Sequence, residues 1–403
     1  MPSITLQDIQ SAYHRIRDAI YHSPCSYSLM LSRLCGCEVW CKLDHLQVTG
    51  SFKERGARNK LLLLSDEQRR HGVIAASAGN HALGLAYHGQ QLGIPVTVVM
   101  PQWAPFVKVA NCRSFGATII LHGNAYDDAK HHALELAEQQ QKVYVPGFDD
   151  PDIIAGQGTM GLEILEDVPE VDAVIVPVGG AGLIAGVGLA IKSLKPGVQI
   201  IGAESNAAPT LQASLQAGKV VKIDAAPTLA DGLAVAEAGK LCLEIAQRVV
   251  DDLVLVDEPQ IARSILQLME LEKAVVEGAA AVSLAAALQR RQRLAGKNLV
   301  LCLTGGNIDV TILGKIIERG LAADGRLCRI GVRISDRPGE LARLASVIAS
   351  TGASIKEIDH DRSFGPADVA SVYVWCILET RDAAHVQQVY DAMKAAGIET
   401  HEG

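Results

Sequence analysis

Along most of this chain, short apolar runs alternate with longer stretches in which apolar residues recur every three or four positions. The first pattern predicts strands and the second amphipathic helices. After an N-terminal helix, the run HGVIAAS (71–77) leads into a helix through Gln90. IPVTVVM (94–100) leads into a helix ending near Phe115, and ATIILHG (117–123) into one through about Gln141. VDAVIVPV (171–178) precedes a helix over 183–193, VQIIGAE (198–204) follows, and NLVLCLTGG (298–306) closes the series. Several runs are apolar throughout, as strands are when helices cover both faces of a parallel sheet. The pattern predicts an α/β architecture, in which ligands gather beyond the carboxyl ends of the strands. Glycine-rich stretches at 79–84, 179–188 and 305–306 all follow strands.

The rhythm changes after Ala322, where the polar stretch ADGRLC marks a linker over 321–327. The tail, 328–403, reads as strand 328–336, helix 339–352, strand 354–362, a loop with Gly365 and Pro366, strand 370–380, helix 382–396 and a short last segment. This βαββαβ order predicts a ferredoxin-like sheet with helices on one face. Leu341, Leu344, Ala345 and Ile348 are spaced to line one side of its first helix.

Composition narrows the function. A chain of 403 residues suits two or three domains, and 49% hydrophobic with 20% charged residues permits a large core. A net charge of -8 with no long basic run argues against a nucleic-acid partner. Nine scattered cysteines, an odd number without disulfide-like spacing, suit a reducing cytoplasm. Cys35, Cys37 and Cys41 in CGCEVWC lack further ligands at zinc spacing and read as small buried hydrophobes on a strand. The first twenty residues show no signal-peptide pattern. The uncharged stretch from Ala173 to Ile191 approaches a membrane span, but Pro177 and five glycines divide it into strand, loop and helix.

Candidate chemistry begins at TGSFKERGAR (49–58). Ser51 and Glu54 have capping-box spacing, which makes Ser51 the N-cap and puts Lys53 in the first helical turn. A cation is disfavoured there by the helix dipole. Either Lys53 is exposed and the misplacement is slight, or burial and the positive field keep a reactive neutral amine. In VPVGGAGLIAG (176–186), backbone N–H groups before a helix suit a phosphate. Gly180-x-Gly182-x-x-Ala185, with Glu204 ending the next strand, also satisfies a dinucleotide fingerprint. SAGNHALG (77–84) offers groups for a carboxylate or phenolate oxygen, or simply a helix start capped by Ser77 or Asn80. In LTGGNID (303–309), Thr304 suits a ring nitrogen or its own turn. An amine nucleophile, a phosphate loop, an oxyanion cradle and a hydroxyl for a heteroaromatic nitrogen are together what pyridoxal 5'-phosphate requires. A nicotinamide cofactor leaves Lys53 and Thr304 without a task.

GSFKERGA, SAGNHALG, DDPDIIAGQGT, VPVGGAGLIAG and LTGGNID, in this order over residues 1–320, resemble the fold-type II pyridoxal-phosphate enzymes, most of all the threonine ammonia-lyases. The resemblance implies the tryptophan-synthase-β-like fold, two open twisted sheets with helices on both faces, its smaller subdomain nested at about 50–149. ISDRPGELARL in the tail resembles an ACT regulatory domain. By the same resemblance Lys53 forms the Schiff base and acts as base at the substrate α-carbon, with Phe52 against the cofactor ring. Asn80 meets the phenolic oxygen, while Ser77 and the backbone of Ala78, Gly79, Asn80 and His81 hold the substrate carboxylate. Gly179, Gly180, Ala181, Gly182 and Leu183 cradle the phosphate, and Thr304 faces the pyridine nitrogen.

Two positions depart from the family pattern: Ala181 replaces the third of four glycines, and Thr304 stands where Ser or Cys is usual. The implied reaction is β-elimination of L-threonine to 2-oxobutanoate and ammonia, with L-serine giving pyruvate. Serine racemase and 3-hydroxyaspartate dehydratase are alternatives on the same scaffold. Racemases of the family carry serine at the position of Ala78, and alanine moves no proton. A mono- or divalent cation at Glu204 and the Ala208 carbonyl is a further candidate, with Thr210 where another carboxylate is expected. The alternative from another class is an amino-acid sensor with an inactive catalytic region, against which an intact Lys53 speaks. An amino-acid or nucleotide effector is expected at Asp336, Pro338, Gly339, Glu340 and Leu341. The same residues also read as a turn with Pro338 near helix N1 and Asp336 or Ser335 capping. A cytoplasmic homodimer or homotetramer is expected.

Overall fold

The computed structural model describes residues 4–361 and 370–402. The predicted loop at Gly365 and Pro366, and Arg362 at the end of a predicted strand, lie outside the described residues. The chain divides into two units, Met1–Ile308 and Asp309–Gly403.

The apolar runs form the parallel sheets of the first unit. Its larger sheet has six strands in the order Cys25–Tyr27, Glu38–Lys42, Asn298–Cys302, Ala173–Pro177, Gln199–Ser205, Asp252–Val256. Only the first pair is antiparallel. The smaller sheet is parallel throughout, in the order Thr118–Leu121, Val96–Met100, Val73–Ala76, Val143–Tyr144. Ala173–Pro177 and Val96–Met100 are buried at every position. Each buried Val, Ile or Met side chain among them contributes about 1.5–3 kcal/mol by leaving water.

Three helices set the site, two of which join the two sheets. Lys53–Leu62 leads into the smaller sheet, and Pro151–Asp167 leads out of it, capped by Asp150 Oδ1 accepting from Asp152 N (2.9 Å) and Ile153 N (3.1 Å). Gly182–Leu194 follows the central strand Ala173–Pro177. The glycines of AGQGT explain how closely these helices cross. A Cβ on Gly156 would stand 2.6 Å from Gly56 Cα, and one on Gly158 2.9 Å from the Gly186 carbonyl. Side chains there would push the Lys53 helix and the Gly182 helix off the Pro151 helix.

A buried ion network lies under the same crossing. The Arg55 Nε and Nη2 donate to Asp44 at 2.6 and 2.8 Å, and its Nη1 and Nη2 each donate to Glu163 at 2.7 Å. Lys42 Nζ reaches Glu163 at 2.8 Å from the neighbouring strand. Arg55, Lys42 and Asp44 are fully buried, so the network fixes the helix two residues past Lys53 to both sheet and helix.

The second unit carries a four-stranded antiparallel sheet in the order Ser354–Asp361, Ser371–Glu379, Leu327–Ser335, Glu399–Glu402. With helices Glu340–Ser350 and Ala383–Ala395 this is the predicted ferredoxin-like order. Val372, Val374, Cys376 and Leu378 alternate inward and meet Leu344, Ile348, Val389 and Met393. Ala345 is half-buried and Leu341 is 38% exposed, so the predicted stripe closes on the sheet chiefly through Leu344 and Ile348. A further helix, Val310–Ala323, belongs to this unit, and residues 324–326 join it to the strand Leu327–Ser335. Among the described residues no helix is long and apolar enough to cross a membrane.

Candidate active site

Lys53 opens its helix, but not through the predicted capping box. The N-cap is Phe52, with no side-chain cap. Glu54 turns instead to the Thr49 N–H, and its other oxygen lies 3.3 Å from His88 Nε2. Ser51 forms a β-bridge with Gly305, and the Phe52 N–H donates to the Thr304 carbonyl at 3.0 Å. Tertiary pairing to the Thr304 loop thus overrides local capping. The Ser51 hydroxyl is buried with no hydrogen-bond partner among the described residues.

The half-buried Lys53 donates from Nζ to the Gly147 carbonyl at 2.7 Å, and lies 5.1 Å from the Phe52 ring centroid. Burial lowers its pKa from 10.5 to about 8, against the opposing pull of Cys242 and Glu277. The first turn therefore holds a lysine whose neutral form is far more populated near neutral pH than that of an exposed lysine.

The three glycine loops meet around Lys53 and its immediate neighbours. Phe148, next to Gly147, lies against the phosphate-type loop: a Cβ on Gly180 would stand 2.5 Å from its ring. Gly179, Gly180 and Ala181 run into the Gly182 helix, with Ala181 as N-cap at φ 70°. The N–H groups of this turn have no intrahelical acceptors and face any anion placed there. Asp149 accepts from Lys240 and Leu241 N–H, both at 3.0 Å, and the Gly239 N–H reaches the Gly180 carbonyl at 3.1 Å, which pins the loop.

The second loop packs through Gly84, where a Cβ would stand 3.3 Å from the Lys53 carbonyl oxygen. Its helix, Asn80–Leu92, has Gly79 as N-cap, so neither Ser77 nor Asn80 caps it. Ser77 Oγ accepts from Gly79 N–H at 3.2 Å, and Ala78 packs half-buried on the smaller core. His81 is buried with Nε2 2.9 Å from the Val145 carbonyl, and burial together with the nearby Lys53 lowers its pKa to about 4. A neutral imidazole results at working pH. Thr304 is buried at the start of the third loop, tied to Phe52 as described.

Sequence reasoning missed two side chains here. Glu277, buried at the start of the helix Gly278–Gln289, accepts from Asn80 Nδ2 at 2.9 and 3.1 Å. Asn307 donates to Asn80 Oδ1 at 2.8 Å. A glutamate before an alanine-rich helix looks like a surface N-terminal acid, and only the long-range pairing distinguishes it.

Other expected sites behave differently. Glu204 accepts from the N–H groups of Leu211 (2.7 Å) and Gln212 (2.9 Å) at the start of the helix Thr210–Ala217. Burial raises its pKa to about 7 despite these bonds. The Ala208 carbonyl already accepts from Thr210 N–H at 2.9 Å. Among the described residues no group of three or more His, Cys, Asp or Glu side chains is arranged to hold a metal. In the tail, Gly339 at φ 97° is the N-cap of the helix Glu340–Ser350, with no side-chain cap. Neither Asp336 nor Ser335 caps it, and Pro338 precedes the cap rather than occupying N1.

A sequence profile described as pyridoxal-phosphate dependent enzyme matches residues 16–305. An L-threonine ammonia-lyase of Thermotoga maritima is 44% identical over 396 residues, 98% of each chain, and so matches through the tail as well. The structure of the processed form of threonine deaminase isoform 2 from Solanum lycopersicum superposes with TM-score 0.75 at 38% identity, covering 78% of this chain and 86% of that one. Maize serine racemase gives TM-score 0.75 at 33% identity, covering 80% and 99%.

Proposed function

The chain belongs to the pyridoxal-phosphate dependent enzyme family, and from that premise we propose that it acts as a threonine ammonia-lyase. It converts L-threonine to 2-oxobutanoate and ammonia, with L-serine as a second substrate giving pyruvate. The observation that carries this reading is the convergence of three separate loops on Lys53, in a chain 44% identical to an L-threonine ammonia-lyase along its length.

The residues present fit the cofactor. The turn at Gly179, Gly180, Ala181, Gly182 and Leu183 offers a helix N-terminus to its phosphate. The buried Ser51 hydroxyl has no partner among the described residues, and burial lowers the Lys53 pKa. Bound there, pyridoxal phosphate supplies an electron sink for the substrate α-carbon. Phe52 would support the ring, Asn80 would meet the phenolic oxygen, and Thr304 would face the pyridine nitrogen. Ser77 with the backbone of Ala78 to His81 orients the substrate carboxylate. Lys53 takes the α-proton; the β-hydroxyl leaves as water, and the released enamine tautomerises and hydrolyses to the 2-oxo acid and ammonia. Ala78 has no proton to deliver from the opposite face, which favours elimination over racemisation.

The same proposal makes the C-terminal unit regulatory, with a small effector at Asp336, Pro338, Gly339, Glu340 and Leu341, and the protein a homo-oligomer. The partly exposed Leu341 leaves apolar surface at that turn. The test of the activity is 2-oxobutanoate release from L-threonine by purified protein supplied with pyridoxal 5'-phosphate. The reading requires steady release that Lys53→Ala abolishes. No product from the parent protein, or undiminished product from the variant, would refute it.

A further inference from the structure

We propose that Glu277 is a positioning residue for the oxyanion subsite at Asn80, and that it takes up a proton when an anionic oxygen binds there. This rests on the reading of Asn80 as the partner of the cofactor's phenolic oxygen.

Hydrogen-bond direction makes the argument. The Thr49 carbonyl can only accept, and Asn307 Nδ2 lies 2.7 Å from it. The same nitrogen lies 2.8 Å from Asn80 Oδ1, so its two N–H groups serve these two acceptors. Asn80 Oδ1 therefore accepts, and Asn80 must turn its NH2 toward Glu277, whose two oxygens lie at 2.9 and 3.1 Å. Two carboxylate oxygens around one nitrogen engage one N–H between them. The second N–H stays available to a ligand oxygen. A chain running from a backbone carbonyl through two amides to a carboxyl thus decides which end of Asn80 meets the ligand.

The carboxyl is built into place. Glu277 is 6% exposed, its own N–H donates to the Gly305 carbonyl at 3.0 Å, and a Cβ on Gly305 would stand 2.2 Å from its Oε1. The charged groups that face it are Lys53, Lys108 and Asp231. Lys108 and Asp231 pair with each other at 2.9 Å, and Lys53 donates to Gly147. Amide N–H groups, not a cation, hold this carboxyl. Burial first, with Asp231 adding to it, raises its pKa to about 7 against the Asn80 and Asn307 bonds and Lys108. An anionic oxygen sharing the Asn80 amide would face a buried carboxylate across one nitrogen. Like charges so placed favour protonation of one of them, which links oxyanion binding to proton uptake.

The experiment titrates cofactor-free protein with pyridoxal 5'-phosphate by calorimetry at about pH 7.5, in two buffers of different ionisation enthalpy, for the parent, Glu277→Gln and Gly305→Ala. Glutamine keeps the shape and carries no titratable proton, while alanine at 305 displaces the carboxyl. The expected result is that the parent takes up more protons per cofactor bound than either variant, by a large part of one proton. Its affinity then falls more steeply with rising pH than that of Glu277→Gln. Equal proton counts in parent and folded variants would overturn the inference, even if the variants bind more weakly, because weak binding alone is a structural effect. If the parent itself binds no cofactor, the functional reading fails, and this inference fails with it.

Discussion

Replacing Lys53 with methionine should stabilise the cofactor-free protein while destroying its activity. The fold holds the amine against a backbone carbonyl, with no ion-pair partner among the described residues. A lysine whose pKa is 10.5 when exposed and about 8 in place pays for its charge on folding. The difference corresponds to a ceiling of about 3 kcal/mol at neutral pH. Loss of the bond to Gly147 returns about 1 kcal/mol, and the residue's partial exposure discounts the remainder, leaving a gain of roughly 1–2 kcal/mol. The sign follows from proton binding. Between about pH 8 and 10.5 the unfolded chain binds more protons than the native one, so the parent gains stability as pH rises through that window. Methionine lacks this linkage. Its advantage should be full below about pH 8, shrink through the window, and reverse by about 1 kcal/mol near 10.5, where only the lost Gly147 bond is left. Urea unfolding of both cofactor-free proteins at several pH values measures it. A gap that is absent at pH 7, or constant across the window, would refute burial as the cause of the lysine's reactivity.

Gly180→Ala puts a methyl 2.5 Å from the Phe148 ring and should weaken cofactor affinity about tenfold or more, through overpacking of 1–3 kcal/mol, read by equilibrium dialysis. Arg55→Ala leaves Asp44 and Glu163 buried with only part of their compensation and should cost about 3–5 kcal/mol in urea unfolding. Ala181→Gly relieves a left-handed alanine at φ 70°, a strain of about 1–2 kcal/mol, but frees the unfolded chain by about 0.4–1. A small net gain, near 0.5 kcal/mol, is expected from the shift in urea midpoint.

Periodicity made the apolar strands legible. The runs at 71–77, 94–100 and 171–178 became Val73–Ala76, Val96–Met100 and Ala173–Pro177, because strands buried on both faces carry an unbroken signal. Cys25–Tyr27, Val143–Tyr144 and Asp252–Val256 escaped notice, being two to five residues long and partly exposed. The glycine loops were legible because backbone that bends at a strand end requires them. The Ser51 cap was misread because its local pattern is sound, and only pairing with Gly305, distant in sequence, redirects it. Glu277 was invisible for the same reason: its meaning lies in Asn80, 197 positions away.

The order of strands in the larger sheet also sets a timetable for synthesis. Glu38–Lys42 is among the first strands made, yet its parallel neighbour is Asn298–Cys302, and the sheet is completed only across that strand. At about 5–20 residues per second, the ribosome needs roughly 13–50 seconds to supply the intervening ~250 residues. Until then the early strand keeps an unpaired edge, and Lys53 waits for the loop of Thr304 that anchors its helix. The nested smaller sheet, whose strands all lie between Val73 and Tyr144, can assemble during that interval. A nascent chain halted before residue 298 would therefore hold a finished subdomain beside an exposed sheet edge, a form open to chaperones and to aggregation.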